Sequence, residues 1–289
     1  MDWAKWQSLP QLHGISPRVL QELLDGGQSF RWNRLPEKMD LWQGVFGKVV
    51  IQIQQQADGE VYFRQPVGEE ADIAIFQYFG AEVDWDGIVN KLPWRSDAYL
   101  QECIEKFTGL RILRQPFGET LFGFLCSTAK QITQIKQCCE QVAKAFGPEL
   151  IKGVYGWPDW NVLAEVPEAD LRKCKLGYRA KYIAAVSRIL AKDPQFEQKV
   201  LNSDYEPARQ LLMSLPGVGE KVADCVLLFG AGKLEAFPVD TWMIKVMSRI
   251  YQLENWDSGK VAHFGRVHFG SAAGLAQQFL FARERQISV

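Results

Sequence analysis

An amine and a carboxylate flank a glycine hairpin in this chain. Residues 215–219 read Leu-Pro-Gly-Val-Gly between two helical patterns. Lys221 stands at the mouth of the second helix, and Asp240 follows 19 residues later at the start of another. Gly217 and Gly219 allow left-handed turn angles and close approach of a second backbone. The N–H groups that open the second helix, up to Val222, lack intrahelical acceptors and sit at the positive end of the helix dipole. Such a geometry binds phosphate with few basic side chains. The dipole disfavours a further positive charge on Lys221, and Val218 and Val222 would shield it from water. Both effects free the amine as a nucleophile. Asp240 follows Pro238-Val239 and precedes an apolar helix, which is an N-cap position. A capping carboxylate is held ionised by backbone N–H groups and suits a developing sugar cation. The set suits gripping a phosphate backbone and attacking a sugar.

The elements that must position these groups fall into two parts. Up to about residue 105 the pattern is strands and turns. Val49, Ile51 and Ile53 alternate with Val50, Gln52 and Gln54, near the period of a half-buried strand. Asp58-Gly59 then gives a hairpin turn into Val61-Tyr62-Phe63-Arg64. This predicts an antiparallel sheet covered by helices near 17–25 and 70–80. Beyond it the period becomes helical. Apolar positions run through 118–146, including Phe122, Leu125, Ile132, Ile135 and Val142, until Gly147-Pro148. Further helices are predicted near 180–192, 206–214, 222–229, 241–251 and 271–285. The expected class is α+β: an antiparallel β-sheet domain over 1–105, then an all-α helix–hairpin–helix domain over 106–289.

Composition narrows the partners. The 289 residues are 47% apolar, enough for one large or two moderate cores. The 33 basic and 34 acidic residues balance. That argues mildly against nucleic acid, although a local basic face can exist on a neutral protein. None of the six cysteines forms a CxxC pair or zinc spacing with histidine, and none follows Cys225, which excludes a C-terminal four-cysteine iron–sulfur cluster. Free thiols in a reducing compartment are expected. The N-terminal residues lack a basic stretch followed by an apolar run, and no apolar stretch reaches about 18 residues. A cytoplasmic protein, neither secreted nor membrane-bound, is therefore expected, and a monomer is the expected state.

LPGVGEKVADC followed by FPVD resembles the helix–hairpin–helix/Gly-Pro-Asp superfamily of DNA glycosylases, most closely its 8-oxoguanine branch. Three further segments carry the resemblance, in the family's order across nearly the whole chain. Gly27-Gln28-Ser29-Phe30-Arg31-Trp32 is similar to GQSFRW, and Leu176-Gly177-Tyr178-Arg179-Ala180 to GYRA. Gly274-Leu275-Ala276-Gln277-Gln278-Phe279-Leu280-Phe281 is similar to GWAQAVLF.

The resemblance implies that Lys221 attacks C1′ of a damaged nucleotide and forms a Schiff base, which then loses the 3′ phosphate. Asp240 would stabilise charge on the sugar. The partner is double-stranded DNA containing oxidised guanine, with the base flipped out of the stack. Cys225 and Phe281 would sandwich it, and Gln277 would read its Watson–Crick edge. The Gly27 carbonyl would accept from N7–H, which guanine lacks. A mismatch there costs about 1–3 kcal/mol. Tyr178 and Arg179 would fill the vacated stack. Read without the family, Cys225 and Phe281 are core residues, Gln277 a solvated helix residue, Tyr178 a surface aromatic and Arg179 a phosphate ligand. No organic cofactor or catalytic metal is implied; a monovalent cation on the hairpin carbonyls is compatible with the resemblance.

The chain departs from the pattern at residues 127–134, Ser-Thr-Ala-Lys-Gln-Ile-Thr-Gln, where the family has SSNNNIAR. Ala129 replaces the asparagine that fills the stack, and Gln134 the arginine that reads the orphan cytosine. Weaker opposite-base discrimination is expected, with Lys130 offering a phosphate contact. Trp242 stands where a histidine is frequent and alters the phosphate contact there. Two other readings remain open: a glycosylase for alkylated bases, which Lys221 opposes, and a non-catalytic DNA-binding module using the hairpin alone.

Overall fold

The computed structural model describes residues 2–36, 38–68 and 71–287. Five strands form one antiparallel sheet in the order β1-β5-β4-β3-β2. They are β1 (Gln7–Ser8), β2 (Trp32–Leu35), β3 (Lys38–Phe46), β4 (Val49–Gln55) and β5 (Val61–Arg64). Gly59, at φ +88°, makes the β4–β5 turn that Asp58-Gly59 predicts. Ile51 and Ile53 are fully buried in the same core as Leu23 of α1 (Pro17–Asp25) and Ile75 of α2 (Asp72–Tyr78). The opposite face is more covered than the alternation predicts. Gln52 is also buried, because Gln43 and Arg64 satisfy its amide at 3.1 and 2.8 Å while Trp3 and Trp6 lie under the Arg64 guanidinium.

The helical part runs α3 (Trp85–Lys91), α4 (Ala98–Lys106), α5 (Phe117–Cys126), α6 (Ile132–Phe146), α7 (Trp160–Glu165), α8 (Glu168–Leu171) and α9 (Ala180–Lys192). It continues through α10 (Phe196–Asn202), α11 (Tyr205–Met213), α12 (Glu220–Phe229), α13 (Thr241–Tyr251), α14 (Ser258–Phe269) and α15 (Ala273–Ile287). It also carries a two-stranded ribbon, β6 (Glu149–Ile151) and β7 (Val154–Tyr155). Among the described residues no helix is long and apolar enough to cross a membrane.

One expected run is broken. Residues 118–146 are two helices, not one. Ser127 ends α5 by donating its hydroxyl to the Phe124 carbonyl at 2.7 Å, and Ala129 turns the chain at φ +52°. Gln131 and Gln134 then cap α6 reciprocally. Apolar periodicity cannot register such a break, because Leu125 and Ile132 face the same core on either side of it. Six helices lie where none is predicted: α3, α4, α7, α8, α10 and α14. Asp84, Asp97 and Asp257 cap three of them through their carboxylates, a readable signal.

The two parts are stitched at the GQSFRW segment. Gln28 donates to the Arg111 carbonyl at 2.9 Å and accepts from the Leu113 N–H at 3.1 Å. Its own carbonyl accepts from Gln115 at 2.7 Å. Phe30 packs edge-on against Phe124 at 5.2 Å, in the space left by Gly123. Arg31 reaches Glu119 at 3.3 Å and the Tyr155 carbonyl at 2.5 Å. These contacts fix Gly27 against α5 and the start of α6.

Candidate active site

The hairpin forms as its residues require. Gly217 adopts φ +83°, and a Cβ there would sit 2.8 Å from the Tyr182 ring. Gly219 is the extended N-cap of α12, with open space at its Cα. Helices α11 and α12 are locked by Arg209, which reaches Glu220 at 3.0 Å and Asp224 at 3.4 Å. Tyr205 also donates to Asp224, at 2.7 Å. Burial pushes the Asp224 carboxyl up to about 6, against Tyr205 and Arg209, which lower it. Of the hairpin carbonyls, that of Leu215 accepts from the Val218 N–H at 3.1 Å.

Lys221 lies in the first turn of α12, and its amine donates to Ser127 Oγ at 2.8 Å. The same amine stands 5.2 Å from the Phe124 ring centroid. Ser127 spends its own proton on the Phe124 carbonyl, so towards Lys221 it acts as acceptor. Asp240 caps α13, accepting from the Met243 N–H at 2.8 Å. Its second carboxylate oxygen is left for other work.

Two cavities meet at these residues. The smaller, about 120 Å³, is lined by Gly27, Phe30, Cys225, Gln277 and Phe281 among others. That is well below the ~300 Å³ at which drug-sized pockets begin, so it has room for one ring system rather than a whole nucleotide. The larger is an open groove of about 650 Å³ lined by the hairpin and by residues 127–130 and 239–242. Ser127, Lys130, Lys221 and Asp240 line both. Cys225 is buried, and burial pushes its thiol up to about 12 despite the nearby Lys221 amine. It is therefore a neutral, apolar wall. Gln277, contrary to a solvated reading, is buried, and its amide donates to the Pro238 carbonyl at 3.2 Å.

The remaining expected residues divide. Tyr178 is 50% exposed and Trp242 43%, both large aromatics facing outward. Arg179 is buried instead, with its guanidinium on the Thr128 carbonyl and 4.5 Å from the Tyr178 ring. Val222 is buried too, although it lines the groove. Lys130 donates to the Lys175 carbonyl at 3.1 Å. Gln134 is occupied at the start of α6, where its Oε1 accepts from the Gln131 N–H at 3.1 Å. Sequence reasoning missed Ser127 and Phe124, which hold the Lys221 amine. Ser127 stands inside a segment already set beside the family pattern, and no feature of that pattern says what its hydroxyl touches.

A hairpin between two helices, with an amine and a carboxylate at its mouth and a base-sized cavity behind, is the site architecture of helix–hairpin–helix DNA repair enzymes. Residues 15–121 match the 8-oxoguanine DNA glycosylase N-terminal domain, and residues 122–265 the HhH-GPD superfamily of base excision DNA repair proteins. A probable N-glycosylase/DNA lyase of Methanothermobacter thermautotrophicus is 44% identical over 126 residues, 44% of this chain and 40% of that one. An N-glycosylase/DNA lyase of Saccharomyces cerevisiae is 32% identical over 264 residues, 82% of this chain and 69% of that one. The crystal structure of Clostridium acetobutylicum 8-oxoguanine glycosylase/lyase with DNA containing cytosine opposite 8-oxoguanine superposes with a TM-score of 0.87. It is 29% identical, and the match covers 100% of both chains. The chain belongs to the 8-oxoguanine DNA glycosylase family of the HhH-GPD superfamily and is an N-glycosylase/DNA lyase.

Proposed function

We propose that the chain flips 8-oxoguanine out of double-stranded DNA, excises it and cleaves the abasic site through a Schiff base on Lys221. The observation that carries this reading is the junction of the two cavities. Lys221 and Asp240 line both the ring-sized cavity and the backbone groove, where a flipped nucleotide would place its sugar. One N–H of the Lys221 amine is held by Ser127, which leaves the lone pair of the neutral amine free to turn towards C1′. That pair forms the N–C1′ bond, and the glycosidic electrons leave with the base. The free oxygen of Asp240 stabilises positive charge on the sugar as the bond breaks. Ring opening gives the Schiff base. The expelled base, which left with the glycosidic electron pair, takes a C2′ proton; the C2′–C3′ double bond forms and the 3′ phosphate departs with the C3′–O pair.

The base would lie between Cys225 and Phe281, with Gln277 on its Watson–Crick edge and the Gly27 carbonyl on N7–H. Residues 1–105 supply Gly27, and residues 106–289 supply the amine, the carboxylate and the other walls. The hairpin amides at Gly217–Val222, together with Trp242, hold the phosphate backbone, and Tyr178 and Arg179 occupy the gap opposite. Opposite-base reading is relaxed in this proposal. Ala129 has no polar side-chain atom, and the Gln134 amide is engaged at the α6 cap.

Borohydride trapping tests the chemistry. A covalent adduct with an 8-oxoguanine duplex that disappears in Lys221→Gln is the expected result. Base release without an adduct would favour an alkylated-base glycosylase, and binding alone a non-catalytic module. Single-turnover rates with the lesion opposite C, A, G and T test the second part; a strong preference for C refutes relaxed reading.

A further inference from the structure

Four charged side chains that take no part in the proposed chemistry meet beside the ring-sized cavity. Arg285 Nη1 reaches Glu22 Oε1 at 3.4 Å and the Asp25 carbonyl at 3.5 Å. Lys136 Nζ holds Asp25 Oδ1 at 2.6 Å. Two acids and two bases thus join the end of α1, the first turns of α6 and the last turns of α15.

The same three elements wall the cavity. Gly27 follows α1 by two residues, and Ile132 and Ile135 open α6. Gln277 and Phe281 project from α15. On α15 the spacing is four, so Gln277, Phe281 and Arg285 share one helix face. On α6, Lys136 stands one turn beyond Ile132. Gly27 itself is held at φ +101° with Ile132 Cδ1 only 3.0 Å from where a Cβ would be. Gly26 leaves the slot for the acid: a Cβ there would lie 2.4 Å from Glu22 Oε1. The α1 wall is therefore tied to each of the other two by a charge about one turn away.

We infer that Glu22, Asp25, Lys136 and Arg285 form a positioning clamp for base recognition, which sets the separation between the Gly27 carbonyl and the Gln277–Phe281 face. The inference rests on the proposed reading that this cavity takes the flipped base. Fully exposed ion pairs contribute little, but Lys136 and Glu22 are mostly out of solvent and their pairs are less screened. Burial lifts the Glu22 carboxyl to about 7 against the pull of Arg285. In either protonation state Oε1 accepts the guanidinium N–H. A hydrogen bond from N7–H to a carbonyl weakens steeply with misplacement. Lys221 projects from α12, outside the clamp. Loosening the clamp thus affects reading of the base and spares attack on a sugar that carries none.

The test compares two substrates in the full-length protein. Single-turnover release of 8-oxoguanine is measured beside borohydride trapping on a preformed abasic site. Lys136→Met and Arg285→Leu are each expected to slow base release about tenfold, since small misplacements remote from the chemistry have such effects. Abasic-site trapping, with no base to be read, is expected to stay near the wild-type rate. Arg285→Lys is expected to restore part of the loss. Glu22→Gln/Arg285→Leu removes both charges of one pair and serves if Arg285→Leu alone unfolds. Equal loss on both substrates, or loss on neither, overturns the clamp. Wild-type protein that traps on abasic DNA yet releases no 8-oxoguanine overturns the base assignment itself, and the clamp's role with it.

Discussion

Lys221 Nζ donates to Ser127 Oγ at 2.8 Å, a bond between the hairpin helix and the C-cap of α5. Ser127 is fixed in turn by its own donation to the Phe124 carbonyl. The amine proposed to attack is thus held by a side chain from a different helix. Ser127→Ala removes that acceptor. Losing one hydrogen bond of about 1 kcal/mol predicts a fall of roughly fivefold in the trapping rate. Adduct formation on abasic DNA, followed in time, measures it; an unchanged rate would show that the amine aims itself.

Asp240 caps α13 and, in the proposed reading, also stabilises charge on the sugar; substitution separates the two. Asparagine caps helices as well as aspartate does. Asp240→Asn should therefore keep the melting temperature while slowing base release by about 10²–10³-fold, the scale of lost transition-state charge stabilisation. Asp240→Ala should show the same loss of rate and also lower stability by about 1 kcal/mol. Thermal melts run beside single-turnover assays distinguish the two variants.

The two hairpin glycines should fail differently. Gly217→Ala forces a Cβ at φ +83° to within 2.8 Å of the Tyr182 ring, so it should lower stability by about 1–3 kcal/mol. Gly219 has an ordinary φ and open space. Gly219→Ala should melt like wild type but bind DNA more weakly, because its methyl group would stand where the proposed reading brings a phosphate backbone. Equilibrium binding and melting curves on the same preparations check both.

Stability should rise as pH falls from about 8 towards 5.5. Burial raises the Glu119 carboxyl to about 7 and that of Asp224 to about 6. A carboxyl that holds its proton more tightly when folded makes its largest contribution at or below its unfolded value. That contribution is lost as pH climbs through the folded one. The slope is at most about 1.4 kcal/mol per pH unit for each such group. Glu119→Gln should flatten the profile between 5 and 7. A wild-type melting temperature that falls over the same acid range would contradict the sign.

Much of this was readable from residue types. The hairpin, Lys221 and Asp240 stand within one stretch, where glycine geometry and capping chemistry have few alternatives. Strand alternation and the Asp58-Gly59 turn located two paired strands of the sheet, β4 and β5, correctly. Short helices escaped because α8 and α10 carry too few turns for a period to appear. The break at 127–131 escaped because backbone conformation at Ala129 leaves no trace in hydrophobic pattern. Arg179 shows a different limit. Its type and place suggest an outward donor, yet the free protein turns it inward onto the Thr128 carbonyl. Contacts between residues far apart in the chain, such as Lys221 with Ser127 or Arg285 with Glu22, need the fold before they can be seen.

The ring-sized cavity takes Gly27 from near the start of the chain and Gln277 and Phe281 from α15. A growing polypeptide presents the hairpin amine well before that last helix leaves the ribosome. Until it does, one side of the compartment is missing. If the cavity takes a base as proposed, a chain still lacking α15 has no complete compartment to receive it.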